Sequence, residues 1–296
     1  MRARAFLAPR LRQAAVLAAA LPAALLAAEP IAAGPGVGDG PGAAQRPLWE
    51  LGLGVAALRL PDYRGADQGR NYLLPLPYIV YRGDWLKADR DGARAVLLDT
   101  PRVKFDLSLA ASAPARSKDN DARRGMRNLK GLAEIGPNLN LGLARSESER
   151  WKLDLRLPVR AAFTLEKSPR FAGTTFSPHL NLDLANVAGG WNLGMLTGPV
   201  FGDRKNHAYF YGVGAGDATA SRPAYQARGG YGGWQALAST SRRLGNTWVG
   251  AFVRYDRLDG AAFDDSPLMR RSAALSAGIG VSWILATSSE RVAARD

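Results

Sequence analysis

The chain contains no cysteine. That excludes thiol catalysis, thiolate metal sites, structural disulfides and an acylated N-terminal cysteine in one step. It also suits a chain that crosses an oxidising compartment without forming wrong bridges. Histidine is scarce, with only His179 and His207 present. Beyond Leu48 no apolar run is long enough for a spanning helix, and the mean hydropathy of -0.16 excludes a helical membrane protein. Acidic residues are the minority, 26 against 39 lysines and arginines, which leaves a net charge of +13. Nucleic acid is the reflex partner of so basic a chain, but no recognised motif accompanies the charge, which is spread through alternating segments and loops. No nucleic-acid partner is expected. A barrel lumen, anionic lipid head groups or cell-wall polymer accounts better for that spread.

What the chain has in quantity is glycine, at 33, and proline, at 18, which suits many strands joined by turns. The run Trp151-Lys152-Leu153-Asp154-Leu155-Arg156-Leu157-Pro158-Val159-Arg160 sets the reading. Odd positions are apolar, and even ones are charged except Pro158. On a strand, alternate side chains point to opposite faces, so the run has one greasy and one ionic face. In a soluble sheet the apolar face would meet a core; in a transmembrane barrel it meets lipid and the ionic face lines the lumen. The same rhythm recurs at 103–109, 139–143, 180–184, 191–195 and 275–283. A sandwich or lipocalin-like barrel is the soluble alternative.

Two features favour the membrane. Residues 1–28 read as a secretory signal, with Arg2, Arg4, Arg10 and Arg12 ahead of a short apolar stretch containing Pro22. Aromatics near strand ends also suit interfacial girdles: Trp49, Tyr72, Tyr81, Trp85, Trp151, Trp191, Tyr209, Tyr211, Trp248, Tyr255 and Trp283. The expectation is therefore an all-β fold, an antiparallel transmembrane β-barrel of 10–12 strands spanning 48–285. A flexible leader at 29–47 precedes it, and a C-terminal tail at 286–296 follows; either the tail hangs in the periplasm or the aromatic insertion signal is internal to the chain. Expected strands are 48–60, 71–82, 84–98, 102–114, 131–145, 150–166, 174–186, 190–201, 208–214, 224–242, 246–258 and 272–285. Alternation of short turns with long loops fails at 82–84 and 99–102, so one early segment is not a full crossing. It holds from 115 onward if 208–214 belongs to a loop.

Candidate chemistry is thin. Ser177 and His179 share the polar face with Asn181 and Asp183, but same-face neighbours lie about 6.6 Å apart and nothing supplies an oxyanion hole. A polar ladder is the expectation there, and His207 is expected to be solvated in its loop. Asp89-Arg90-Asp91-Gly92 looks like half a calcium loop without its closing glutamate; it and Asp264-Asp265 read as salt-bridged turns. Gly229 to Trp234 lacks the helix and Lys-Ser/Thr of a phosphate loop, and its glycines read as bends or close approaches. Arg116 to Arg127 reads as a mobile, solvated basic loop. No catalytic residue, cofactor or metal ligand is expected. The expected lumen-lining residues are Lys104, Asp106, Lys152, Asp154, Arg156, Arg160, His179, Asp183, Arg254 and Asp256.

Several phrases together resemble one family. They are Pro61 to Gln68, Leu74-Pro75-Leu76-Pro77-Tyr78 running into Tyr81 to Gly92, Glu134-Ile135-Gly136-Pro137, Arg156 to Arg160, Arg222-Pro223-Ala224-Tyr225, and Tyr255 through Leu268. In order and spacing the chain from Trp49 to Trp283 is similar to the MltA-interacting protein family, the MipA/OmpV family of outer-membrane proteins. The resemblance implies a barrel without catalytic activity, in the outer membrane of a Gram-negative cell among lipid and lipopolysaccharide. It further implies a scaffold that holds a lytic transglycosylase near a bifunctional peptidoglycan synthase (a penicillin-binding protein). A narrow anion-preferring channel and an outer-membrane lipid hydrolase are the alternatives.

Overall fold

The computed structural model describes residues 45–83, 86–89, 92–100, 102–148 and 150–293. The expected signal at 1–28 and most of the expected leader lie outside them, as do Trp85, Arg90 and Asp91. Among the described residues fifteen strands follow one another: β1 Gln45–Pro47, β2 Trp49–Pro61, β3 Gly69–Arg82, β4 Leu86–Asp89, β5 Gly92–Asp99, β6 Val103–Ser112, β7 Leu132–Arg145 and β8 Trp151–Thr164. Then come β9 Phe171–Phe176, β10 His179–Val187, β11 Trp191–Gly202, β12 Gly230–Leu244, β13 Thr247–Arg257, β14 Ala273–Thr287 and β15 Arg291–Ala293. One α-helix, α1 (Arg204–Tyr211), sits between β11 and β12.

Strands β2 to β14 form one antiparallel sheet of 13 strands, with β14 bonded to β2. Strand β8 pairs with β9 along Val159–Phe163 and with β10 along Trp151–Arg156, and β11 also bonds both. β9 and β10 are thus two halves of one stave, interrupted at Ser177-Pro178, where proline has no N–H to give the ladder. Counted so, the ring closes with 12 staves among the described residues. Closure of β14 on β2 removes the two outer edges that an open sheet would leave, which a membrane cannot solvate.

The two-residue rhythm sets the faces. On β2, Leu51, Leu53 and Val55 are exposed, while Glu50, Ala56, Leu58 and Leu60 are buried. On β14, Leu275, Ile279 and Trp283 point out, opposite buried Ser276 and Ser282. Outward leucines reach 75% exposure at Leu73 and 73% at Leu285. An apolar belt this extensive has hydrocarbon, not water, as its neighbour.

The structure departs from the sequence reading at several points. Segment 84–98 is not one strand but the short pair β4 and β5, bonded from Leu86↔Ala95 to Asp89↔Gly92. This restores the alternation of turns that failed early in the chain. Segment 208–214 is not a strand, since helix α1 runs to Tyr211. β12 begins at Gly230 rather than 224. The leader and tail boundaries also shift: β14 continues to Thr287, and β1 pairs with β15 through Gln45↔Ala293 and Pro47↔Arg291. Leu48 N–H donates to the Glu290 carbonyl and Ser288 N–H to that of Trp49, so the tail folds back beside the first stave.

The girdle reading needs partial correction. Trp49, Tyr81, Trp151, Trp191 and Trp283 are on the outward parity toward the short-turn end, and Tyr255 faces out near the long loops. Tyr72 and Trp248 face the interior instead, and Tyr209 and Tyr211 lie on α1. Phenylalanines that the sequence reading passed over complete the upper ring, with Phe176 stacked on Phe201 at 6.1 Å and Phe201 edge-on to Tyr231 at 5.9 Å.

Candidate functional site

The barrel interior has two unlike walls. Along β6 to β10 it is polar. Asp106, nearly buried, accepts hydrogen bonds from Asn138 at 3.1 Å and Asn140 at 2.8 Å. Asn140 is the cross-strand neighbour of Lys104, which extends the polar row toward the short turns. Arg160 Nε donates to Ser108 Oγ at 2.9 Å. Lys152 Nζ lies 3.6 Å from Asp183 and 4.0 Å from Asp154, and Arg156 bridges the same carboxylates at 3.7 and 3.9 Å. Asn181 adds a 2.9 Å bond to Asp183. Two cations and two carboxylates in one cluster cancel locally, which is how such charge survives inside a narrow barrel. Across the interior, Asp256 is held by Arg254 at 3.1 Å and by Arg64 at 3.0 Å.

His179 is held against the main chain of Ser177. Its Nδ1 stands 2.7 Å from the Ser177 backbone carbonyl. To bond a carbonyl, that nitrogen must carry the proton, so it is occupied by main chain and is no base at the hydroxyl. Among the described residues no group of three or more His, Asp or Glu side chains could hold a metal ion.

The opposite wall is apolar, which the sequence reading missed. Ala56, Leu58 and Leu60 pack with Leu237 and Phe252, and Tyr72, Leu74 and Leu76 close against them. A signal existed: between 52 and 58 and between 72 and 80 both faces are apolar or glycine, so the alternation lapses there.

The long loops meet over one end and fold together as a cap. Tyr63, Ala115, Leu129, Tyr211, Phe263 and Leu268 are among its buried core. Tyr63 Oη donates to the Leu268 carbonyl at 2.7 Å and Tyr211 Oη to that of Arg64 at 2.8 Å. The basic loop at 116–127 is therefore not a solvated connection. Its Arg123 is 4% exposed and donates to the Phe210 carbonyl at 2.8 Å. Burial pulls the Arg123 pKa down, opposed mainly by Tyr63 and Tyr209. Arg222 reaches into the same loop, donating to the carbonyls of Ala122 and Arg124. Burial likewise raises the Tyr63 and Tyr211 hydroxyl pKa values well above the usual range, so both stay neutral donors.

His207 is corrected as well. It is 3% exposed on α1, its Nδ1 is 2.7 Å from the Arg228 carbonyl, and its ring meets Phe263 edge-on at 4.7 Å. The glycines of 229–234 permit this. A Cβ on Gly229 would lie 2.8 Å from Arg204 N, and one on Gly232 3.1 Å from His207 Nε2. They provide close approach to the helix, one of the two roles their spacing suggested.

At the short-turn end, Glu50 is 1% exposed and accepts from Arg82 at 2.7 Å and Arg243 at 2.6 Å. The sequence reading did not single out this triad, because Arg82 lies 32 and Arg243 193 residues from Glu50 along the chain.

Three solved structures resemble the barrel. The NanC porin has a TM-score of 0.36 at 9% identity, covering 79% of this chain and 100% of that one. The CymD monoaromatic hydrocarbon channel has 0.36 at 11%, covering 88% and 98%. Outer membrane phospholipase A from Escherichia coli has 0.32 at 12%, covering 83% and 93%. At such low identity and overlap, none of the three bears on activity. A comparison with curated proteins finds no match. Residues 53–285, from β2 to β14, match the family described as MltA-interacting protein MipA, and this outer-membrane β-barrel belongs to that family.

Proposed function

We propose that the protein is a non-enzymatic scaffold that holds a lytic transglycosylase beside a bifunctional murein synthase of the penicillin-binding class. The observation that carries this reading is the family match over 53–285, a family described by its interaction with MltA. The chemistry of the interior supports it: the His179 Nδ1 is bonded to main chain, and the interior cations at Lys152 and Arg156 are balanced by Asp154 and Asp183 rather than set out along an anion path.

The docking face is assigned to the short-turn end, which in outer-membrane barrels faces the periplasm. There the β1–β15 sheet carries Arg46 and Arg291, and the same end carries Arg145 and Arg150. A basic rim suits acidic protein surfaces and the carboxylates of cell-wall polymer. Within the same reading, residues 1–28 are removed as a signal, and the belt sits among outer-membrane lipid and lipopolysaccharide. The ten interior residues from Lys104 to Asp256 serve as a structural ladder, not as a solute path.

The test is capture from envelope extract with the folded barrel in nanodiscs. Retention of a lytic transglycosylase together with a murein synthase is expected. Retention of neither, combined with a stable anion-selective current across a planar bilayer, would replace the scaffold with a channel. Phospholipid turnover that disappears in His179→Ala would replace it with a hydrolase.

A further inference from the structure

Most staves are bonded along both edges, but one stretch of wall is not. β3 bonds β2 from Gly69 through Tyr81, whereas its other edge is bonded, among the described residues, only at Tyr81 and Arg82. β6 bonds β7 along its whole length, and its other edge only from Lys104 to Leu107. The β4–β5 hairpin stops low in the wall. Above it, the facing edges of Gly69 to Pro77 of β3 and Ser108 to Ser112 of β6 have no ladder partner among the described residues. An open edge has nothing to bond in hydrocarbon, so this window requires an occupant or a use. Its upper margin is crossed by side chains: Tyr72 Oη donates to the Pro114 carbonyl at 3.3 Å and Arg70 Nη2 to that of Arg116 at 3.0 Å.

Two features indicate the chemistry. Behind the window lies the apolar wall, with Leu74 and Leu76 of β3 packed toward Leu58 and Phe252. At the upper margin is a cavity of about 280 Å³ lined by Arg70, Tyr72, Pro114, Arg116, Leu129 and Lys130. Arg70 is neutralised by Asp62 at 2.9 Å and Asp119 at 3.4 Å. Arg116 and Lys130 are exposed; neither lies within salt-bridge distance of a carboxylate among the described residues, although Lys130 is near enough to Glu166 to help lower its pKa. At this level the outward face of β3 changes from Asn71 to the exposed Leu73, so the cavity lies where hydrocarbon gives way to head groups.

We infer that the window binds an amphipathic anion. Its hydrocarbon tail enters between β3 and β6 toward Leu74 and Leu58, and its carboxylate or phosphate is held by Arg116 and Lys130. A partner strand fits less well, because it would leave the exposed Arg116 at the upper margin without a counter-charge.

The experiment uses the barrel in phosphatidylcholine nanodiscs, with the fluorescent fatty acid cis-parinarate as probe. Saturable binding above that of empty discs is expected. The double substitution R116E and K130E, both at exposed positions, is expected to weaken it by roughly tenfold or more, with folding checked by electrophoretic heat-modifiability. Adding phosphatidylglycerol to the discs separates the sources: competition assigns the site to lipid phosphate, and its absence assigns it to free fatty acid. Partitioning equal to that of empty discs, or equal binding by the folded double variant, overturns the inference. So does displacement of the probe by an extended apolar peptide but by neither anionic lipid nor unlabelled fatty acid.

Discussion

The rings of Tyr211 and Phe263 lie 9° from parallel with centroids 3.6 Å apart, and they join helix α1 to the loop between β13 and β14. Tyr63, from the loop after β2, meets Tyr211 edge-on at 6.0 Å. One aromatic stack therefore ties three long loops, and the cap has a small core of its own above the barrel wall. Truncating a buried phenylalanine costs about 3–5 kcal/mol where the site cannot collapse. Phe263→Ala should therefore loosen the cap and leave the barrel intact. Limited proteolysis should cut within 203–229 and 258–272, while resistance of the barrel to unfolding in SDS is unchanged. Loss of that resistance would show that cap and wall fold as one unit.

His207 makes the cap sensitive to acid. Burial depresses its pKa below the usual imidazole value and Arg64 pushes the same way, while the bond to the Arg228 carbonyl and the charge of Asp203 oppose them. The folded cap keeps the ring neutral, whereas an opened cap protonates it below about pH 6.5. The contribution is complete above that pH and is lost as pH falls toward the depressed folded value. Protection of the α1 amides against exchange, corrected for the pH dependence of the intrinsic rate, should fall from pH 7 to 5. In His207→Phe this part of the pH dependence should vanish.

Glu50 should control the other end. Its carboxylate accepts from arginines on β3 and β12, and removing it leaves two guanidinium groups facing each other. Breaking a buried charge cluster from one side costs about 3 kcal/mol or more. Glu50→Ala should lower the temperature at which the barrel loses its compact electrophoretic form. Glu50→Gln should recover only part of that loss. An unchanged temperature in both would mean that water carries these arginines.

Gly173 is a sharper structural test. Its φ is +108°, and a Cβ there would stand 2.3 Å from Asn206 N and 2.4 Å from Asp203 Oδ1. Those atoms form the N-cap of α1, in which Asp203 Oδ1 accepts from Asn206 N–H at 2.7 Å and Oδ2 from Thr174 N–H at 2.9 Å. Gly173→Ala should cost about 1–3 kcal/mol of backbone strain and expose α1 to exchange much as Asp203→Ala does. Wild-type protection in the Ala variant would mean that the helix start is free to shift.

Where alternation was clean, as in β8 and β14, the residues alone gave the strand, its direction of facing and its membrane side, because a strand's period of two leaves one arrangement of faces. Segment 84–98 was misjudged because its length suited one crossing, and only pairing reveals a hairpin. The apolar interior wall of β2 and β3 was hidden by the same logic: where both faces are oily, a sequence cannot say which meets lipid.

The rhythm of apolar and charged residues, together with the family phrases, determined a membrane barrel of this lineage before any coordinates. Local side-chain chemistry suffices for that, since lipid selects one face of every stave. Tertiary structure alone decided what fills and covers the barrel: the Glu50 triad, the burial of His207 and Arg123, and the unpaired wall between β3 and β6. These depend on partners distant in the chain, which pair only when the ring closes, and no local pattern encodes that meeting.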